Sequence, residues 1–149
     1  MTKFLLSALT ASFLFPPQTF AALKDQSFFR LEYGIETKDQ ITLEKMNQTV
    51  WRAEFIDRGR MQRDRSLKRA FPKEVAQKQI AQFDSLIRQF GGHLIENPKE
   101  GSCRFTLLVT WGKSEKKSSS KKYCAEALTR NESLRLGAWI KSTTDLFQF

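Results

Sequence analysis

The sequence predicts an α+β fold, an antiparallel sheet with one central helix packed across one face, on three observations. The first is the apolar stripe Ala76, Ile80, Phe83, Ile87 and Phe90 within Pro72–Gly92, at alternating steps of four and three, the period of a helix buried on one side. The second is a series of short alternating segments ahead of that helix, the pattern of half-buried strands. The third is the same alternation after it, strongest from Cys103 to Trp111.

Residues 1–21 read as a cleaved secretory signal, and residues 22–149 as a single α+β domain. Lys3 supplies the positive start and Phe4–Phe15 an apolar run. Pro16-Pro17 breaks that run, and Thr19-Phe20-Ala21 offers small residues at the −3 and −1 sites. The run is shorter than the roughly 20 residues a bilayer span needs. No comparable run follows, so no transmembrane segment is expected in the mature chain. The expected compartment is the bacterial periplasm or the exterior.

Phe29, Leu31, Tyr33 and Ile35 alternate with Arg30, Glu32, Gly34 and Glu36 as a first strand. Lys38-Asp39 turns the chain, Ile41 and Leu43 resume the alternation, and Met46-Asn47-Gln48 turns it again. Trp51, Ala53 and Phe55 then share one face of a third strand over Thr49–Asp57, which completes a three-stranded meander. Arg58–Arg69 has no clean apolar period and reads as a charged connection to the helix. Pro72, with no N–H to leave unpaired, suits the start of that helix, and Gly91 suits a left-handed end. Glu74–Lys78 and Asp84–Arg88 place an acid four residues ahead of a base on the outer side.

Two or three strands are expected after the helix. Asn97-Pro98 and Gly101 mark His93–Ser102 as a loop, and Cys103–Trp111 follows as a strand. The run from Gly112 to Lys122, GKSEKKSSSKK, has too little apolar surface to order itself and is expected to be a mobile loop. Tyr123–Leu128 resumes as strand and Thr129–Glu132 as a turn. Ser133–Ser142 fits two periods. Leu136, Ile140, Thr143 and Phe147 suit a helix, whereas Leu134, Leu136, Ala138 and Ile140 suit a strand. Gly137 would cost a helix about 1 kcal/mol relative to alanine, so strand is preferred. The terminal Phe147 and Phe149 read as aromatics tucked onto the core. About six strands and a helix do not make a membrane barrel, which takes at least about eight.

In an oxidising compartment Cys103 and Cys124 are expected to pair. A bridge closing a loop of about 20 residues would stabilise the fold by ~3 kcal/mol. If a simple loop joined the two flanking strands, the cysteines would lie roughly 25 Å apart. Pairing therefore requires residues 112–122 to run back beside the preceding strand.

The chain contains a single histidine, and its cysteines are expected to bind each other, so no metal site or cofactor is expected. Neither a Gly-x-Ser-x-Gly elbow nor a glycine-rich phosphate loop is present. These absences favour a protein that is not an enzyme. The alternative is a small secreted nuclease using His93 and Glu96 as acid and base, weighed against a histidine that caps the helix end or is merely exposed.

A net charge of +9 draws a protein toward anionic surfaces. The candidate contact residues are Arg58, Arg60, Arg63, Arg65, Lys68 and Arg69, whose guanidinium groups suit carboxylates and phosphates; the plain alternative is a solvated linker. Lys113, Lys116, Lys117, Lys121 and Lys122 form a weaker, tether-like cluster. Trp51 and Trp111 read as core. Trp139, flanked on a strand face by Arg135 and Lys141, reads as a stacking residue at the same site. The expected function is an exported binding protein for an anionic envelope polymer or an acidic protein, which it could inhibit. No motif supports nucleic acid. A structural or homo-oligomeric subunit using an open sheet face is the remaining alternative.

Overall fold

The computed structural model describes residues 23–58 and 65–148. The expected signal, residues 1–21, lies outside the described residues, as do Arg60 and Arg63. Among the described residues the chain folds as α+β, with one seven-stranded antiparallel sheet and two α-helices. In chain order the elements are β1 (Phe28–Gly34), β2 (Asp39–Lys45), β3 (Val50–Asp57), β4 (Arg65–Pro72), α1 (Lys73–Phe90), β5 (Ile95–Glu96), β6 (Thr106–Gly112), β7 (Ser118–Cys124) and α2 (Arg130–Asp145). Across the sheet the order is β4-β3-β2-β1-β6-β7-β5.

Register follows the alternation. Leu31 of β1 faces Ile41 of β2 and Val109 of β6, and Phe29 faces Leu43 and Trp111. These rows put Phe29, Leu31, Ile41, Leu43, Ala53, Leu107 and Val109, all fully buried, on one face. The opposite face carries Arg30, Glu32, Glu44, Arg52, Glu54 and Lys68, with Glu44 opposite Arg52 and Glu54 opposite Lys68. A one-residue slip would exchange the two faces, so the buried set holds the register.

Helix α1 covers the apolar face. Ala76, Ile80, Phe83, Ile87 and Phe90 are all buried, and the Phe83 ring meets Phe29 edge-on at 5.4 Å. Pro72 ends β4 and immediately precedes the first helical residue; the Lys73 N–H donates to Thr49 O at 2.9 Å. Gly91 stops the helix at φ 50°, its N–H donating to Ile87 O, a backbone angle that costs glycine little. Phe147 is fully buried and touches the rings of Phe55 and Phe71.

Three expectations are corrected. Ser133–Ser142 is not a strand but the middle of α2. Thr129 and Glu132 form a reciprocal capping box at its start, and the buried residues Leu136, Trp139 and Thr143 follow a helical step. Leu134, which the strand reading counted as inward, is 61% exposed. Second, the charged connection ends in strand: Arg65–Pro72 pairs with β3 over its whole length. An edge strand has one neighbour and one covered face, so Leu67 and Phe71 suffice as its apolar content. Third, the lysine–serine run is not a long loop. Ser118–Lys122 pairs with β6 as part of β7, leaving only a tight turn closed by the Lys113 N–H on Lys117 O. Backbone pairing with an apolar neighbour orders a segment whose side chains could not order it. Strand β7 then ends at Cys124 rather than Leu128, and β6 starts at Thr106 rather than Cys103.

Candidate functional site

Strand β4 forms one edge of the sheet, and the basic segment runs into it. Within RSLKRAFP, Arg65, Lys68 and Arg69 are exposed, Leu67 is half-buried and Phe71 is buried. Alternation splits the cations. Arg65 and Arg69 sit opposite Asp57 and Ala53 on the helix-covered side, and Lys68 sits opposite Glu54 on the other. The edge is therefore flanked by positive charge above and below. Arg69 donates through Nη1 to Lys68 O at 2.9 Å, and Ser66 donates to Glu54 at 3.2 Å. Arg58 anchors the near end of the segment, its backbone N–H donating to Asp39 Oδ1 at 2.8 Å.

Trp139 does not join this edge. Its ring is 4% exposed, lies 4.9 Å from Phe83, and donates through Nε1 to Gln79 O at 3.0 Å. The surface role expected of it came from the strand assignment and goes with that assignment. It is a core residue between the helices.

His93 and Glu96 take separate partners. His93 Nδ1 lies 2.7 Å from Glu132 Oε1, whereas Glu96 pairs with Lys121 at 2.7 Å. Glu132 serves the capping box: it accepts the Thr129 N–H at 2.9 Å. That hydrogen bond, chiefly, and the contact with His93 hold its carboxyl below the ordinary value. The histidine thus sits on a structural acid at a helix start, and Glu96, the acid expected beside it, is paired with Lys121 instead.

Cys103 and Cys124 form a disulfide with Cα atoms 5.9 Å apart, possible because β7 runs back beside β6. Glu126 lies close to both sulfurs. Neither sulfur is a thiolate, so this cluster lacks the ligands a zinc ion would take. Of the lysine cluster, Lys121 is committed to Glu96, while Lys113, Lys116 and Lys117 lie in or beside the β6–β7 turn.

Sequence reasoning missed a cavity of about 500 Å³ beneath the first half of α2, lined by Tyr33, Phe105, Leu128, Leu136 and Ile140 among others. The one signal for it was Gly137, which lines the cavity. A helix-weakening residue there was read as evidence for strand.

No helix among the described residues is long and apolar enough to cross a membrane. Compared with known families, characterised proteins and solved structures, the chain matches none.

Proposed function

We propose that this protein is an exported, non-enzymatic binding protein that takes an acidic protein partner along β4. The observation that carries the reading is the placement of Arg65, Lys68 and Arg69, all exposed, on an eight-residue edge strand. A sheet edge offers backbone donors and acceptors to an incoming extended segment, and flanking cations select its charge. The same cations oppose pairing of two copies edge to edge, since like charges would meet. Export is supported by the disulfide, a bond that persists outside the reducing cytosol. The full sequence carries a net charge of +9, of which the expected signal holds only Lys3, and this excess favours encounter with acidic molecules.

Fluorescence anisotropy tests this with three probes: a labelled peptide of alternating glutamate and valine, the same composition interrupted by prolines, and an anionic polysaccharide. The continuous peptide should bind, weaken steeply with salt, and lose at least tenfold when Arg65, Lys68 and Arg69 become glutamate. Equal binding of the proline-interrupted peptide would remove strand addition. Tighter binding of the polysaccharide would reassign the partner to an envelope polymer and overturn the reading.

A further inference from the structure

The ladder between β3 and β4 fixes which backbone groups an added strand would meet. The Lys73 N–H donates to Thr49 O at 2.9 Å, which marks Thr49 and Lys73 as a hydrogen-bonded pair. Such pairs recur at every second residue of an antiparallel ladder, and the register runs unbroken from Val50–Pro72 to Asp57–Arg65. Arg65, Leu67, Arg69 and Phe71 therefore turn their N–H and C=O groups toward β3. Ser66, Lys68 and Ala70 turn theirs away from it, to the side where the sheet has no further strand among the described residues. Pro72, next in that series, has no N–H to offer, a place that suits proline in a sheet. The stretch of edge open to a partner is thus Ser66–Ala70.

The central carbonyl of that stretch is already engaged. Arg69 donates through Nη1 to Lys68 O at 2.9 Å. The Arg69 side chain leaves the strand on the helix-covered face, so it curls round the edge to reach an oxygen aimed outward. An incoming strand needs that oxygen as the acceptor for one of its own N–H groups, and the guanidinium stands in its way.

Charge on the incoming strand decides what happens next. An uncharged strand strips the guanidinium from Lys68 O and leaves it to water, so a charge-assisted hydrogen bond is exchanged for an ordinary one. A strand with a carboxylate beside Arg69 supplies a better acceptor than the one lost, because a guanidinium and a carboxylate can form two parallel bonds. The other face is a poorer seat for that carboxylate. Lys68 there stands across from Glu54, to which Ser66 also donates.

We propose that Arg69 gates the β4 edge: its guanidinium, folded over the Lys68 carbonyl, turns back uncharged strands, and a carboxylate on the partner draws it aside so that pairing is completed. The gate rests on the reading of β4 as the partner's seat, and it requires the partner's acid to lie on the helix-covered side beside Arg69.

NMR titrations test it with two extended peptides, alternating glutamate–valine and alternating glutamine–valine, against the wild type, Arg69→Ala and Arg65→Ala. Both substitutions remove one exposed cation from the same face, but only the first uncovers Lys68 O. In the wild type the glutamate peptide should shift the amides of Ser66, Lys68 and Ala70 more than those of Leu67 and Arg69, and should move the Lys68 carbonyl carbon. The glutamine peptide should bind Arg69→Ala about tenfold tighter than the wild type, and Arg65→Ala no tighter. Simple attraction between charges gives the glutamine peptide no gain in either variant; that result would overturn the gate and leave β4 as the seat of the glutamate peptide. Wild-type binding of the glutamate peptide at β4 with an unmoved Lys68 carbonyl would overturn the gate in the same way, without recourse to a variant. If the glutamate peptide shifts no β4 resonance in the wild type, seat and gate fall together.

Discussion

The two helices meet where Phe83 of α1 packs on Trp139 of α2, but they are held by different means, and the difference explains why one is legible and the other is not. Helix α1 lies on the sheet through five apolar residues at regular spacing, so its burial is hydrophobic and periodic. Helix α2 buries only Leu136, Trp139 and Thr143, and hydrogen bonds to α1 supply much of its attachment. Trp139 donates to Gln79 O, Thr143 donates to Gln79 Oε1 at 2.8 Å, and Arg135 donates to Gln89. Hydrophobic burial scales with area and needs no particular partner. A hydrogen bond contributes only about 1 kcal/mol net and depends on where its partner lies. Helix α1 therefore announces itself locally, whereas α2 depends on α1 having formed.

The largest test of this contrast is Phe83→Ala. Its ring touches Phe29 of the sheet and Trp139 of α2, so truncation should cost about 4 kcal/mol in urea unfolding and loosen both helices. If only α1 amides lose hydrogen-exchange protection, α2 is not seated on it. Next is Trp139→Phe, which removes the Nε1 donor and shrinks the ring, with an expected cost of about 2 kcal/mol. Here protection should fall in α2 and persist in α1. Equal loss in both would erase the distinction.

The smallest effect concerns the cap. Thr129→Ala should cost about 1 kcal/mol and fray the first turn of α2 alone. Acid should act on the same turn. The Glu132 carboxyl lies below its ordinary value of 4.5, so its contribution is complete above that pH and disappears as pH falls through the lower folded value. An NMR titration of Glu132 with midpoint at or above 4.5 would contradict the capping geometry.

Legibility divides along the same line in the sheet. The three N-terminal strands were visible because each buries one face, with residues such as Leu31, Leu43 and Ala53 at every second position. Only the end of β7, Tyr123 and Cys124, showed as strand, because Ser118–Lys122 buries almost nothing and is held by its backbone against β6. Strand β4 was masked by its cations, although those cations remain the candidate site. Trp139 was misplaced because alternation and a helical step both fit its neighbours, and Gly137 tipped the choice toward strand. Beyond Gly137 nothing local marked the cavity, since Tyr33, Phe105 and Ile140 come from three distant parts of the chain.

The sequence by itself determined the α+β class, the helix over Pro72–Gly92, the strands of alternating period and the candidate cysteine pair, because periodic burial and oxidisable thiols are written in residue order. Tertiary structure decided the fate of Ser133–Ser142, the strands at both ends of the sheet, the return of β7 that brings the sulfurs together, and the space around Gly137. Those features depend on which backbone or side chain a distant segment presents, and that partner exists only once the sheet and α1 are in place.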